Sequence, residues 1–435
     1  MQIHGWGRYP IVDAQVDLPS SNGAARTALG RIPQTGTIPR GMGRSYGDSA
    51  LAPSVIGTGQ LDLMLGFDEA SGRVRCGAGV TLADLLEVFV PRGWFLPVTP
   101  GTKFVTLGGA IASDVHGKNH HLHGCFSEFV DTIELLLGDG RIVACSRTEQ
   151  PELFHATCGG MGLTGMILEA TVRLRRIDSA YLDQTTFKAR HLAEALELFE
   201  THHAATYSVA WIDCLAADSA LGRSLVMTAE HARDGGLAAQ AKRPVAVPVD
   251  MPSQLLNRYA IQAFNTLYYH RVRRQRALQR VHYEPFFYPL DGILQWNRLY
   301  GKNGFTQYQF VVPKAAGLAG MDAILRRIAA SRRGSFLAVL KAFGPENANL
   351  LSFPTEGYTL ALDFKLEPGL FALLDELDAM VLDHGGRVYL TKDVRMSEAT
   401  FKRSYPRWQA FQAVRERYGA KGRFASHQSR RLGLD

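Results

Sequence analysis

The sequence predicts an α+β fold in more than one domain, and three observations carry that reading. Residues 20–180 alternate strands, Gly-rich turns and short helices, and residues 305–390 alternate strands and helices again. Between them the chain turns Ala- and Pro-rich, then basic and aromatic. At 435 residues, 46% of them apolar, there is enough chain for two or three separate cores.

The elements follow from local chemistry. Arg73–Val80 alternates as a strand, and Thr81 with Asp84 forms a capping box. The helix that follows carries Leu82, Leu85, Leu86 and Phe89 on one face and stops at Pro91 and Gly93. Phe129–Leu137 and Arg141–Cys145, joined by Gly138-Asp139-Gly140, read as a hairpin. Pro151 opens a short helix, and Met166–Leu174 is the next strand. Residues 229–252 read as a loose surface excursion, and Arg258–Arg280 as a basic, aromatic helix. Further on come strands at Gln307–Val312, Phe336–Phe343, Tyr358–Phe364 and Arg387–Leu390, with helices at Met321–Ser331 and Leu370–His384.

Composition narrows the class. The N-terminus lacks a charged start followed by an apolar run, and no window approaches the roughly 18 apolar residues of a membrane span. A cytoplasmic or membrane-associated protein without signal peptide or transmembrane helix is expected. Five scattered cysteines with no CxxC pair point to reduced, buried thiols. The net charge of +7 favours anionic partners. Nucleic acid is not among those expected, because the basic residues are dispersed and no helix-turn-helix, RRM or zinc-finger pattern occurs.

Two glycine-bearing segments carry the chemistry. In Pro39-Arg40-Gly41-Met42-Gly43-Arg44-Ser45-Tyr46-Gly47-Asp48-Ser49, three glycines can turn successive amides toward one anion. The spacing is neither GxGxxG nor a P-loop, and a tight surface turn is the alternative. In the second, Gly101 precedes Thr106-Leu107-Gly108-Gly109 and Ser113-Asp114-Val115-His116. Its small residues allow close approach of a flat or phosphorylated ligand, or tight packing on a sheet. Gly117 and Asn119 break any helix between the following histidines, so no metal site is expected; an imidazole over a reactive centre fits better.

Both segments resemble the vanillyl-alcohol-oxidase/PCMH class of FAD enzymes. Within it, Arg44-Ser-Tyr-Gly-Asp48 and His116-Gly-Lys-Asn-His-His121 are similar to strings of the decaprenylphosphoryl-β-D-ribose 2′-oxidase family. So are Gly5-Trp-Gly-Arg8, Pro289-Leu-Asp291, Gln307-Tyr-Gln-Phe310 and Thr391-Lys-Asp393. The resemblance implies a bipartite FAD-binding domain of two α/β subdomains, in residues 1–179 and 387–435. A substrate domain, an antiparallel sheet covered by helices, would occupy 180–386. It implies FAD contacts from Pro39 to Ser49 and from Gly101, Thr106, Leu107, Gly108, Gly109, Ser113, Asp114, Val115, His116, Ile167 and Tyr389. Arg44-Ser45 stands where covalent members of the class carry a histidine, so dissociable FAD is expected.

The implied reaction is oxidation of the 2′-hydroxyl of a polyprenylphosphoryl-ribose to a 2′-keto sugar. That is the first half of an epimerisation yielding an arabinose donor for cell-envelope glycans, with an NADH-dependent short-chain ketoreductase as partner. Lys392 would meet the reacting hydroxyl as base or as cationic stabiliser, Tyr46 and Gln309 would orient the sugar, and His116 would pack near the flavin. Lys118 and Lys341 are candidates for the substrate phosphate, and the Arg258–Arg280 segment for peripheral membrane contact. The family's pocket cysteine falls on Ala361, its asparagine on Thr359 and a tyrosine on Phe287, which opens the glycosyl specificity. The rival reading keeps the flavin and makes the protein an alditol or aldonolactone oxidase.

Overall fold

A computed structural model describes residues 1–32, 36–238, 245–252 and 256–435. Three sheets position the site. A parallel three-stranded sheet sets Ser54–Gly57 between Gln15–Asp17 and Ile38–Arg40. An antiparallel five-stranded sheet runs in the order Ile142–Cys145, Val130–Leu136, Met166–Arg173, Arg73–Gly77, Met64–Asp68. The Thr81 capping box forms as its spacing predicts, and Leu82, Leu85, Leu86 and Phe89 of Leu82–Phe89 are buried.

The third sheet has eight antiparallel strands: Arg276–His282, Tyr181–Ala189, Ser224–His231, Tyr207–Ile212, Ala338–Phe343, Gly357–Lys365, Phe305–Pro313 and Arg387–Val388. Its register lines up side chains across strands. Trp211 faces Val339, Val339 faces Ala361, and Ala361 faces Gln309. Directly opposed residues share a face, so this row lies on one side of the sheet. The intervening Leu340, Leu360, Leu362, Phe310 and Val312 are buried on the other, where Leu192–Thr201, Gly317–Ser331 and Leu370–Asp383 pack. Helices therefore cover one face, leaving the other to line a cavity.

The Arg258–Arg280 segment is not one helix. Arg258–His270 is helical, capped by Asn257, and Arg276–His282 is the edge strand paired with Tyr181–Ala189. Arg271, Arg273 and Arg274 would crowd like charges into one helical turn, while eight-strand pairing satisfies the backbone beyond them. The excursion at 229–252 begins as the end of strand Ser224–His231 and includes a two-residue strand, Val245–Ala246, parallel to Ile293–Leu294; its positions 239–244 lie outside the described residues.

The C-terminal residues return to the start of the chain. Thr37 and Phe424 bridge in parallel, with Ala425 N donating to Thr37 O at 2.8 Å. All five cysteines are free and buried. Among the described residues no helix is long and apolar enough to cross a membrane.

Candidate active site

The first glycine loop leaves strand Ile38–Arg40 and is pinned from three sides. Trp6 N donates to Ser45 O at 2.8 Å, and the Arg44 guanidinium lies 4.0 Å from the Trp6 ring centre. Tyr46 N donates to Thr391 O at 3.0 Å, and Arg431 bridges Asp48 at 2.7 Å and Asp393 at 2.9 Å. Gly43 holds φ +62°, a left-handed conformation costly for other residues. A Cβ on Gly41 would sit 2.3 Å from Thr106 Oγ1, so the loop's backbone touches the second segment directly.

In that segment Thr106 caps the short helix Leu107–Ala112, its hydroxyl accepting from Gly109 N at 3.1 Å. A Cβ on Gly108 would meet the Ala78 Cβ at 2.9 Å, so the helix is pressed onto the five-stranded sheet's neighbour loop. Asp114, at φ +40°, is fully buried and accepts from Ser127 N, Asn347, Asn349 and Ser352. Four donors hold it in a conformation it would not choose alone.

Between the loops and the uncovered face of the eight-stranded sheet lies a cavity of about 620 Å³. On its wall Gln309 Nε2 donates to His116 Nε2 at 2.9 Å and to Thr359 Oγ1 at 3.3 Å. That bond leaves the His116 proton on Nδ1, a buried atom without a hydrogen-bond partner. Burial, then Lys341, His120 and Lys392, hold the imidazole neutral, well below its usual range.

Three lysines converge here. Burial draws Lys392 down to about 7, with Asp363 opposing the fall and Lys341 adding to it. Burial and then Lys341 take Lys118 to about 7, and burial takes Lys341 to about 8. Lys118 donates to Phe286 O and stands 4.2 Å from the Phe286 ring centre. Tyr46 is held in its neutral phenol form, first by burial and then by Asp363.

The structure brings Lys392, His116, Tyr46, Gln309, Lys118 and Lys341 to this one cavity. Pro39 to Tyr46, Ser49, Gly101, Thr106, Gly108, Gly109, Ser113, Val115, His116, Ile167 and Tyr389 line it as well. Gly47, Asp48, Leu107 and Asp114 do not; they lock the loops from behind, through Asp393, Arg431, the core and the Asn347–Ser352 loop respectively. Phe287 and Ala361 are wall residues. Sequence reasoning missed Trp6, Gln307 and the apolar strip of Val209, Trp211, Met227, Val281, Leu337 and Val339. For Gln307 the signal was present, since period two puts it on the face of Gln309. The strip comes together from residues far apart in the chain, and no local spacing links them.

The residues fit a dinucleotide. Glycine backbones form a cradle that side chains would fill, and a buried, unpartnered His116 Nδ1 stands at the wall with three lysine side chains. The FAD binding domain family model matches residues 15–146, which include both glycine segments. Fold and site thus define an FAD-dependent oxidoreductase with a bipartite, PCMH-type flavin domain. The decaprenylphosphoryl-β-D-ribose oxidase of Mycolicibacterium smegmatis is 36% identical over 100% of this chain and 97% of its own length. The chain belongs to that oxidase family. An uncharacterised Streptomyces coelicolor protein is 34% identical over 82% of the chain and 100% of its own. The L-gulonolactone oxidase of Bos taurus is 28% identical over 46% of each chain.

Proposed function

We propose that the protein oxidises the 2′-hydroxyl of a polyprenylphosphoryl-β-D-ribose to the 2′-keto sugar. The observation that carries this is the continuity of the cavity, which runs from the two glycine loops past Lys392 and onto the apolar strip beside Tyr268 and Arg271. A free alditol or lactone has no apolar tail to cover such a strip; a prenyl chain does. The likeness to the gulonolactone oxidase, spanning under half of each chain, gives the rival reading less support.

FAD, when bound, accepts the hydride from the carbon being oxidised. The proton on that hydroxyl goes to Lys392, whose amine is neutral for much of the time near pH 7. Tyr46, as neutral phenol, and Gln309 hydrogen-bond the sugar; His116 fixes Gln309 and would line the space that FAD takes. Lys341 and Lys118 receive the phosphate, whose negative charge draws both amines back to their protonated, cationic form. In this reading residues 1–179 and 387–435 hold FAD, 180–386 present the substrate, and FAD dissociates because Arg44 and Ser45 offer no attachment nucleophile. Restoring a 2′-alcohol of opposite configuration requires a separate hydride donor, such as an NADH-dependent ketoreductase.

Helix Arg258–His270 exposes Tyr259 and Leu267, 65% and 74% accessible, above Arg271, Arg273 and Arg274. That combination suits docking on an anionic membrane from which the lipid tail enters. The decisive experiment is anaerobic mixing of the FAD-loaded protein with a short-chain polyprenylphosphoryl-β-D-ribose, with xylitol and with gulonolactone. Bleaching of the flavin by the first alone is expected; equal or faster bleaching by a free sugar overturns the assignment.

A further inference from the structure

Gln309 is buried, yet it lines the cavity. A carboxamide carries two N–H donors at one end and an acceptor oxygen at the other, so the end that faces the cavity decides which substrate group it can hold. His116 does not settle the direction by itself, because a neutral imidazole nitrogen either accepts or donates according to its tautomer. Thr359 does. Its hydroxyl has one proton, which Oγ1 donates to Phe310 O at 2.8 Å. Toward Gln309, 3.3 Å away, the same oxygen can therefore only accept. The amide nitrogen must lie on that side, and its second hydrogen meets His116 Nε2 at 2.9 Å. Both donors are thus spent on the protein. Among the described residues no side chain donates to Gln309 Oε1, and the oxygen is the end left for the cavity.

The surroundings hold this arrangement in place. Thr359 is wholly buried and lies two residues before Ala361, which faces Gln309 across the ladder, so Thr359 and Gln309 are diagonal neighbours on one face. The His116 ring is packed by Phe343, Tyr389 and Phe353, with ring centres 4.8, 5.1 and 5.6 Å away. Gln309 also stands close to the lysine's segment: Tyr389 N donates to Gln309 O at 2.9 Å, and Lys392 N to Tyr389 O at 3.0 Å.

We propose that Thr359 is a positioning residue that locks the Gln309 carboxamide with its oxygen toward the sugar, so that the site selects a free hydroxyl on the carbon beside the one oxidised. The inference rests on the reading in which the 2′-hydroxyl of a polyprenylphosphoryl-β-D-ribose reacts beside Lys392. In that sugar the 1′ carbon carries the phosphate and the 2′-hydroxyl gives its proton to Lys392. The neighbouring donor is therefore the 3′-hydroxyl, which donates to Gln309 Oε1 and keeps its proton throughout. A sugar without that hydroxyl leaves a buried oxygen unpaired, and the site rejects it for that reason.

The test follows anaerobic flavin reduction in the FAD-loaded protein by a short-chain polyprenylphosphoryl-β-D-ribose and by its 3′-deoxy analogue. The parent should prefer the full sugar by at least about tenfold in efficiency, the worth of a hydrogen bond whose buried partner is left stranded. Thr359→Val keeps the side chain's shape and removes its hydroxyl. Efficiency on the full sugar should then fall about tenfold, and the preference should shrink below about threefold. Thr359→Ser, which restores the hydroxyl without the methyl, should recover most of both. Loosened packing would slow the two sugars alike, so the preference isolates the hydroxyl's role. Equal reduction by both sugars in the parent overturns the inference and leaves the assigned reaction standing. So does a parental preference in Thr359→Val, or a Thr359→Ser protein that behaves as Thr359→Val does. Thr359→Ala serves as a second variant without the hydroxyl; loss of FAD from both it and Thr359→Val assigns Thr359 to the fold alone and overturns the inference too. A parent flavin that neither sugar reduces removes the assigned reaction, and this inference with it.

Discussion

The Lys392 ammonium nitrogen lies 4.0 Å from the centre of the Tyr46 ring, and a backbone bond from Tyr46 N to Thr391 O fixes the two segments one residue away. The chain's late return thus delivers a lysine against the loop that begins the flavin cradle. Replacing Lys392 with Met should leave FAD binding intact, since the backbone bond from Tyr46 N to Thr391 O, which holds the loop here, does not involve the ammonium. Flavin reduction by the lipid-phosphate ribose should fall by about 10²- to 10⁴-fold, the usual worth of a positioned acid–base group. Stopped-flow absorbance under anaerobic conditions measures it; a parental rate refutes the role.

The pH dependence has a defined sign. Lys392 accepts a proton only as the free amine, and its midpoint lies at about 7. Flavin reduction should therefore climb about tenfold per pH unit below that point and level off above it. A lysine needed in its protonated form would give the opposite slope, with activity lost as pH rises through that midpoint.

The contact between Gly41 and Thr106 predicts a cofactor phenotype. A Gly41→Val side chain would displace the Thr106 hydroxyl from the Leu107–Ala112 cap. Loss of a cap costs about 1 kcal/mol, and the added bulk also invades the cradle. FAD affinity should drop by at least about tenfold, read as flavin fluorescence released on dilution, while the purified protein keeps its far-UV spectrum. Full flavin retention would show that this crossing does not form the cradle.

Asp114 gives a stability prediction independent of catalysis. Asp114→Ala strands three buried donors and the half-buried Asn347, and removes the interactions that hold a left-handed residue in place. Unfolding free energy should fall by about 3 kcal/mol, seen as a lower urea midpoint at unchanged slope. A shift of a few tenths would mean the network relaxes around the gap.

Membrane docking is tested by charge reversal. Co-sedimentation with phosphatidylserine-containing vesicles should be strong for the parent at low salt and largely lost when Arg271, Arg273 and Arg274 become Glu. Unchanged binding would move the lipid entrance elsewhere.

Much of the site could be read before any coordinates. The glycine loops, Lys392 and the Gln307–Phe310 string are local signals, and local signals survive in a linear reading. The helix expected through Arg280 fails for the opposite reason. Its second half pairs with a strand almost a hundred residues earlier, and that partner overrides local periodicity.

By itself, the chain's order of residues indicated the cofactor class, through the likeness of its two glycine-bearing strings to a family of FAD enzymes; the glycines alone left a tight turn or close packing on a sheet equally open. Only tertiary structure decided which face of the eight-stranded sheet became the cavity wall, and that Lys392 stands against the Tyr46 ring. Strands buried along both faces are divided between core and cavity only by long-range register.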